Sequence, residues 1–242
     1  FQTAVDLETK EKLAQSYQTD SRKGVQDLIA RVYREKEKLQ SELERLEGMK
    51  QFEKKYADYT AICGIDEAGR GPLAGPVVAG AVVLPKGSRI LYINDSKKLS
   101  AKKREELFDI IKEEAVSVGI GMASPERIDE INILQATYEA MRQAIANLSV
   151  KPELLLNDAV MIPGVDIKQV PIIKGDAKSI SIGAASIMAK VYRDHMMEEY
   201  DKVFPGYDFA SNKGYGSKEH IEALHRLGPC PIHRCSFLKN IL

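Results

Sequence analysis

Two adjacent carboxylates, Asp66 and Glu67, close an apolar run over residues 59–65 that has the length and β-branched content of a buried strand. Neighbouring side chains on a strand point to opposite faces, so both acids can serve one site only where the strand ends. Residues 68–72 contain two glycines and a proline, which interrupt regular structure. We therefore expect both carboxylates at a strand end. An acidic surface turn is the alternative interpretation.

Two further predicted strands, over residues 153–158 and 170–176, also end in acids, Asp158 and Asp176. Ligand sites of α/β sheets gather at strand ends, so the sequence predicts that four carboxylates face one another. Like charges at that density are costly unless cations neutralise them. Ligand sets made only of oxygen select Mg²⁺ or Mn²⁺, and two such ions can clamp the attacking and leaving oxygens of a phosphodiester. The pattern therefore indicates a two-metal phosphoryl-transfer site.

The turn after the acids, Gly69-Arg70-Gly71, offers a second kind of chemistry. Glycines beside an arginine leave backbone N–H groups bare, so that a phosphate or a sugar can approach them closely. This turn is therefore a candidate substrate contact.

The elements that must position these residues change in character along the chain. Residues 1–57 have helical apolar spacing and predict a helical N-terminal extension, which is either a solvated appendage, a substrate-contacting arm or a self-association helix. Residues 58–242 alternate strands and helices, and a hairpin comes first. We therefore predict an α/β domain, a mixed sheet flanked by helices, that ends in a helical C-terminal region.

Bulk composition narrows the class of protein. The 242 residues carry 35 basic and 35 acidic side chains and are 44% apolar, which is ordinary for a soluble protein. No apolar run is long enough to cross a membrane and no leader is visible, while the missing initiator methionine indicates natural residues before Phe1. Three cysteines argue for a reducing compartment, and we interpret Cys230 and Cys235 as free thiols rather than zinc ligands. We expect a cytoplasmic monomer with no membrane partner.

Several segments together resemble the bacterial ribonuclease HII family, in combination and in order. The resemblance covers about residues 59–237 and leaves the N-terminal extension outside the family core. The matching segments are Ile65-Asp66-Glu67-Ala68-Gly69-Arg70-Gly71-Pro72-Leu73-Ala74-Gly75-Pro76-Val77, Asp95-Ser96-Lys97, Lys174-Gly175-Asp176, residues 184–194 and Lys213-Gly214-Tyr215-Gly216.

The resemblance implies a ribonuclease H-like fold and two Mn²⁺ or Mg²⁺ ions held by Asp66, Glu67, Asp158 and Asp176. At Asp158 the chain departs from the family, which has Asp-Gly where this chain has Asp158-Ala159. The resemblance further implies that Gly69, Arg70 and Gly71 contact the ribose 2′-OH, and that Tyr215 stacks on the following sugar. Candidate phosphate contacts are Ser96, Lys97, Lys190 and Lys213, with surface salt bridges as the alternative for the lysines. Asp194 is interpreted as the partner of Arg193 or another basic residue rather than as a metal ligand.

The implied activity is an endoribonuclease that degrades the RNA strand of RNA–DNA hybrids. It would also nick 5′ of ribonucleotides embedded in duplex DNA and leave 5′-phosphate and 3′-hydroxyl ends. Two alternatives stay open: another two-metal nuclease of the same fold, and a catalytically inactive hybrid-binding protein.

Overall fold

The computed structural model describes residues 6–242, so the first five residues of the predicted extension lie outside it. The chain divides into two compact units, residues 1–48 and 49–242. Within the first unit, α1 (Leu7–Ser16) and most of α2 (Lys23–Met49) are the amphipathic helices that the apolar spacing predicts. Ala14, Ile29 and Val32 form their buried cluster. The domain boundary after residue 57 stays a prediction.

The second unit is built on a five-stranded mixed sheet of order β3-β2-β1-β4-β5. Its strands are β1 (Ile62–Ala68), β2 (Val77–Val83), β3 (Ser117–Ala123), β4 (Leu154–Asp158) and β5 (Lys168–Ile172). β1, β2 and β3 form an antiparallel meander, and β4 and β5 run parallel to β1. The predicted hairpin and mixed sheet are thus confirmed.

Helices cover both faces of this sheet. The helices of the second unit are α3 (Gln51–Lys55), α4 (Ala101–Glu114), α5 (Pro125–Ala146), α6 (Ile180–Val203), α7 (Phe209–Asn212), α8 (Lys218–Leu227) and α9 (Cys235–Leu238). Serine N-caps define where the long helices begin: Ser100, Ser124, Ser179 and Ser217 each accept a hydrogen bond from the N–H group three residues on. α5 packs over one face together with the main hydrophobic cluster, and α6 packs over the other.

The close approach of α6 to the sheet depends on two glycines, Gly64 in β1 and Gly80 in β2. A Cβ atom on Gly64 would lie 2.0 Å from the carbonyl carbon of Ser181, and one on Gly80 would lie 2.5 Å from the carbonyl oxygen of Ala185. Gly80 stands directly opposite Asp66 in the β1–β2 register. The missing side chain therefore lets α6 lie against the strand surface beside Asp66.

We expect Gly64→Ala to destabilise the second unit by at least about 2 kcal/mol, because the added methyl would meet backbone atoms that cannot move away. Gly24→Ala is the matched control, since nothing lies within 4 Å of a Cβ atom at that helical position. Thermal unfolding of the two variants beside the parent chain tests this. Equal midpoints for Gly64→Ala and the parent would show that α6 does not pack as closely as described.

Candidate active site

The four candidate carboxylates line one cavity of about 790 Å³, but they reach it from three different kinds of position. Asp158 is the last residue of β4, as predicted. Asp66 and Glu67 lie inside β1, not at its end, because β2 continues to pair with them. Asp176 lies on a single 3-10 turn, Gly175–Ala177, beyond the end of β5. The prediction that all four acids stand at strand ends is therefore wrong for three of them.

Sheet register explains how Asp66 and Glu67 still share a site. β4 pairs with β1 only as far as Ile65, so beyond that residue one edge of β1 is open. Asp66 lies on the α6 side, as Asp158 does by alternation along β4, whereas Glu67 starts from the opposite face. An open edge lets the longer Glu67 side chain reach the same cavity, which both residues line.

Burial and mutual repulsion raise the pKa values of three of these acids, Asp66, Glu67 and Asp176. Asp66 is 6% exposed, and burial followed by the charge of Glu67 raises its pKa well above the usual value. Burial also raises the pKa of Glu67, although Arg70 lies 3.3 Å from its carboxylate and opposes the shift. The pKa of Asp176 rises for the same reason, with added repulsion from Asp158 and Asp95. Burial thus outweighs the basic side chains that line the same cavity.

Hydrogen bonds fix part of this acidic set. The Asp158 carboxylate accepts from the Gly175 N–H at 2.7 Å, which ties β4 to the turn that carries Asp176. The Ser186 hydroxyl of α6 lines the same cavity and donates to Oγ of Ser96 at 3.0 Å. Within residues 6–242, no three His, Cys, Asp or Glu side chains are already drawn together as ligands of one metal ion.

The predicted substrate-binding residues divide into those that line the cavity and one that does not. Ser96, Lys97, Lys190, Gly69, Arg70, Gly71 and Tyr215 all line it beside the four acids. The Lys213 ammonium lies outside the lining and is paired with Glu198 at 2.6 Å. Lys190 is held by Asp194 at 2.7 Å, which agrees with the expected pairing of Asp194 with a base. Lys97 lies close enough to Glu67 and Asp176 to oppose the rise in their pKa values.

Tyr215 forms one wall of the cavity together with the glycine turn. A Cβ atom on Gly71 would lie 3.8 Å from the Tyr215 ring, and the tyrosine is 46% exposed, so its ring is open to a ligand.

The Tyr215 carbonyl lies 2.8 Å from Nδ1 of His220, whose Nε2 lies 2.9 Å from Nε2 of His233. A carbonyl can only accept, so Nδ1 of His220 carries the proton and Nε2 of His220 accepts from Nε2 of His233. The remaining nitrogen of His233, Nδ1, accepts from the Cys230 N–H at 2.9 Å.

Both histidines of this relay are neutral near pH 7. Burial lowers the pKa of His220, while burial and the nearby His220 lower the pKa of His233 to about 4. Cys230 and Cys235 form no disulfide bond within residues 6–242.

The sequence patterns missed four residues of the cavity region. Arg104, Ser186 and Arg193 line the cavity, and the charge of Asp95 acts on Asp176. Asp95, Ser186 and Arg193 stand inside the quoted motifs, so the motifs were the available signal. Arg104 carries none, since its place in the cavity wall depends on bonds from its guanidinium to the carbonyls of Ser96 and Leu99.

A mixed sheet with α helices on both faces and an acidic cavity beside the sheet defines a nuclease of the ribonuclease H class. Two solved structures share the fold: ribonuclease H2 from Pyrococcus horikoshii, with a TM-score of 0.60 and 28% identity over 73% of this chain and 93% of that one; and ribonuclease HII from Archaeoglobus fulgidus, solved as a complex with PCNA, with a TM-score of 0.62 and 31% identity over 72% and 94%.

Sequence comparisons narrow the class to one family. The ribonuclease HII family model matches residues 63–240, and the model of the ribonuclease HII N-terminal domain matches residues 1–57. Ribonuclease HII from Lachnoclostridium phytofermentans is 67% identical over 93% of this chain and 89% of its own length. The Clostridioides difficile protein of that name is 58% identical over 92% and 88%. The chain belongs to the ribonuclease HII family, whose members cleave RNA in RNA–DNA hybrids and depend on metal ions.

Among residues 6–242, no helix is both long and apolar enough to cross a membrane.

We expect Asp66→Asn to raise the midpoint of thermal unfolding in metal-free buffer near pH 8, by about 2–4 °C for each 1 kcal/mol of repulsion removed. The folded pKa of Asp66 is raised, so the native state holds its proton more tightly than the unfolded chain does. The contribution of Asp66 to the free energy of unfolding is therefore complete below pH 3.8, the ordinary pKa of an aspartate. It is lost as the pH rises through the pKa that Asp66 has in the folded protein.

The gain from Asp66→Asn should accordingly shrink as the pH is lowered towards 4. Asp166→Asn, at an exposed acid outside the cavity lining, is the matched control and should leave the midpoint unchanged at every pH. A lower midpoint for Asp66→Asn than for the parent at pH 8 would contradict the repulsion described.

Proposed function

We propose that this chain hydrolyses the RNA strand of RNA–DNA hybrids and also cuts on the 5′ side of single ribonucleotides embedded in duplex DNA. The products carry 5′-phosphate and 3′-hydroxyl ends. One observation carries the proposal: four acids, the Gly69–Gly71 turn and Tyr215 line the same cavity. The acids suit phosphodiester hydrolysis, and the turn and the tyrosine suit selection of a ribose.

The acidic set fits two Mg²⁺ or Mn²⁺ ions, which Asp66, Glu67, Asp158 and Asp176 would hold. Its donors are all oxygens, and burial has raised the pKa values of three of them, so a hard divalent cation is the missing counter-charge. When bound, such ions supply an activated water and neutralise charge on the scissile phosphate.

Other residues of the cavity bind and orient the nucleic acid. Ser186 donates to Ser96, which also lines the cavity, and Lys97 offers a positive charge to a phosphate beside the acids. Lys190 can contact a phosphate while Asp194 fixes its position, whereas Lys213 would first have to leave Glu198. Arg70 forms a salt bridge with Glu67, and its side chain is half exposed. Such a salt bridge is weak, so the Arg70 guanidinium can leave Glu67 to contact the substrate.

The proposal also divides the chain into a helical extension, residues 1–57, and a catalytic domain, residues 58–242. The two family models, which match residues 1–57 and 63–240, support this division. We further propose that the whole chain acts as a cytoplasmic monomer.

The proposed activity is tested with DNA duplexes that contain zero, one or four consecutive ribonucleotides, with Mg²⁺ or Mn²⁺ and with a chelator as control. We expect no cleavage of the all-DNA duplex, and cleavage 5′ of the ribonucleotide in the other two only when metal is present. Asp66→Asn should abolish cleavage, and end-labelled products should show 5′-phosphate and 3′-hydroxyl termini.

Two outcomes of this assay would replace the proposal. Cleavage of all-DNA duplex would indicate another two-metal nuclease that does not sense the 2′-OH. Tight binding to hybrids without any cleavage would indicate an inactive hybrid-binding protein.

We expect Tyr215→Ala to lower kcat/KM at a single ribonucleotide by roughly 5- to 150-fold, because a stacked ring is worth about 1–3 kcal/mol. The loss should be smaller within a run of ribonucleotides, where the following sugar is not a deoxyribose. Tyr215→Phe, which keeps the ring, is the matched control and should keep most of the activity. An equal loss of Tyr215→Ala on both substrates would remove the proposed contact with the junction.

A further inference from the structure

Two arginines, Arg193 and Arg234, are buried to an unusual degree and hold the loop that follows Asp66 and Glu67. They are 1% and 0% exposed. Within the part of the chain that the structure describes, neither forms a salt bridge with a carboxylate, and both donate to backbone carbonyls instead. Buried arginines are normally paired with acids, so these two need another explanation.

Arg234 binds the start of the loop and its far end. Its guanidinium donates to the carbonyls of Gly69 at 2.6 Å, Arg70 at 3.0 Å and Gly75 at 2.8 and 2.9 Å. Arg193 donates to the carbonyls of Ala74 and Pro76, both at 2.9 Å. All of these carbonyls therefore point inwards.

Because peptide bonds are planar, the directions of these carbonyls also fix the directions of the neighbouring N–H groups. In a trans peptide the C=O group and the following N–H group point in opposite directions. Because the carbonyls of Gly69 and Arg70 face Arg234, the N–H groups of Arg70 and Gly71 face away from it, on the cavity side that both residues line. Neither N–H has a protein acceptor among residues 6–242, so both are free to donate to a ligand.

Neighbouring backbone bonds make Arg234 part of a single frame around the loop. Its own N–H donates to the carbonyl of Leu73 at 2.8 Å, and the Gly75 N–H donates to Ile232 at 2.8 Å. Residue His233, which pairs with Ala74 in an isolated β-bridge, also anchors the relay that ends on the Tyr215 carbonyl. The segment 232–234 thus holds both the glycine turn and the tyrosine.

We propose that Arg234 is a positioning residue for recognition of the ribose: it orients the Gly69-Arg70-Gly71 turn so that the Arg70 and Gly71 N–H groups can donate to a 2′-oxygen. Arg193 anchors the other end of the same loop. This inference rests on the proposed function. It assigns discrimination between ribose and deoxyribose to a C-terminal residue that contacts no substrate.

The cost of burial supports a specific role. Burial lowers the pKa of Arg234 to about 9, with repulsion from Arg193 as the second cause. A neutral side chain would hold a purely structural loop with less desolvation, whereas a guanidinium can bind three carbonyls in a fixed planar geometry.

The test compares Arg234→Lys, which keeps the charge but not the planar fork, with Arg234→Met, which keeps the length of the side chain without donors. Arg142→Met is the matched control, because Arg142 also donates to a backbone carbonyl, that of Pro163 at 3.1 Å, but outside the cavity lining. For each protein we would measure kcat/KM with Mn²⁺ on a duplex with one ribonucleotide. Affinity for that duplex and for all-DNA duplex would be measured in chelator.

Mn²⁺ affinity by calorimetry and the unfolding midpoint separate positioning from a general loss of structure. We expect both Arg234 variants to lose about tenfold or more in kcat/KM and to lose preference for the ribonucleotide duplex, as two misplaced donors would cause. Mn²⁺ affinity should be unchanged in Arg234→Lys, since the carboxylates are not touched. Arg142→Met should behave like the parent.

Three results would overturn the inference. Parent-like preference and kcat/KM in both Arg234 variants would show that the turn does not need the guanidinium. Joint loss of Mn²⁺ affinity, midpoint and activity in Arg234→Lys would show a general structural role. A parent chain that cleaves no ribonucleotide duplex would overturn the proposed function, and this inference with it, whatever the variants do.

Discussion

The close contact of α6 with the sheet is the constraint on which the site depends. Gly64 and Gly80 bring the helix backbone against β1 and β2, which buries Asp66 and brings Ser186 into the same cavity. The same helix, one or two turns further on, contributes Lys190 and Arg193. A side chain on either glycine would move all three of these groups away from the acids at once, because they share one rigid element.

Burial of the acids inside the cavity disfavours their ionised form. Desolvation raises the pKa values of Asp66, Glu67 and Asp176, so the cavity is electrostatically unsatisfied without added positive charge. Protein cations oppose this only in part: Arg70 and Lys97 lower the pKa of Glu67 and Lys97 that of Asp176, whereas Lys190 is bound to Asp194 and Arg193 to backbone carbonyls. Burial outweighs these charges, which leaves the acids able to bind an external cation.

Sequence patterns predicted the strands, the serine-capped helices and most of the residues that line the cavity, because each of these depends on local chemistry. They placed Asp158 correctly at a strand end, since β4 is a short apolar run that the acid closes. They misplaced Asp66 and Glu67, because the partner that prolongs β1 is β2, and pairing across the sheet leaves no local signal. They offered Arg193 only as a partner for Asp194, which pairs with Lys190 instead, and gave Arg234 no role. A bond to a distant carbonyl has no residue-type signature: Arg234 and Gly69 are 165 residues apart.

The acids and the residues proposed to select the sugar are positioned by different parts of this chain. The acids stand on β1, β4 and a turn that is tied to β4 by the Gly175–Asp158 bond, so the sheet positions them. The glycine turn and Tyr215 belong to loops that have no sheet partner beyond one isolated bridge at Ala74, so segment 232–234 and the two buried guanidiniums must position them instead. Loops can change without disturbing a sheet. This fold could therefore alter which sugar it accepts while it keeps the same acidic set, because the two tasks share a cavity but not a scaffold.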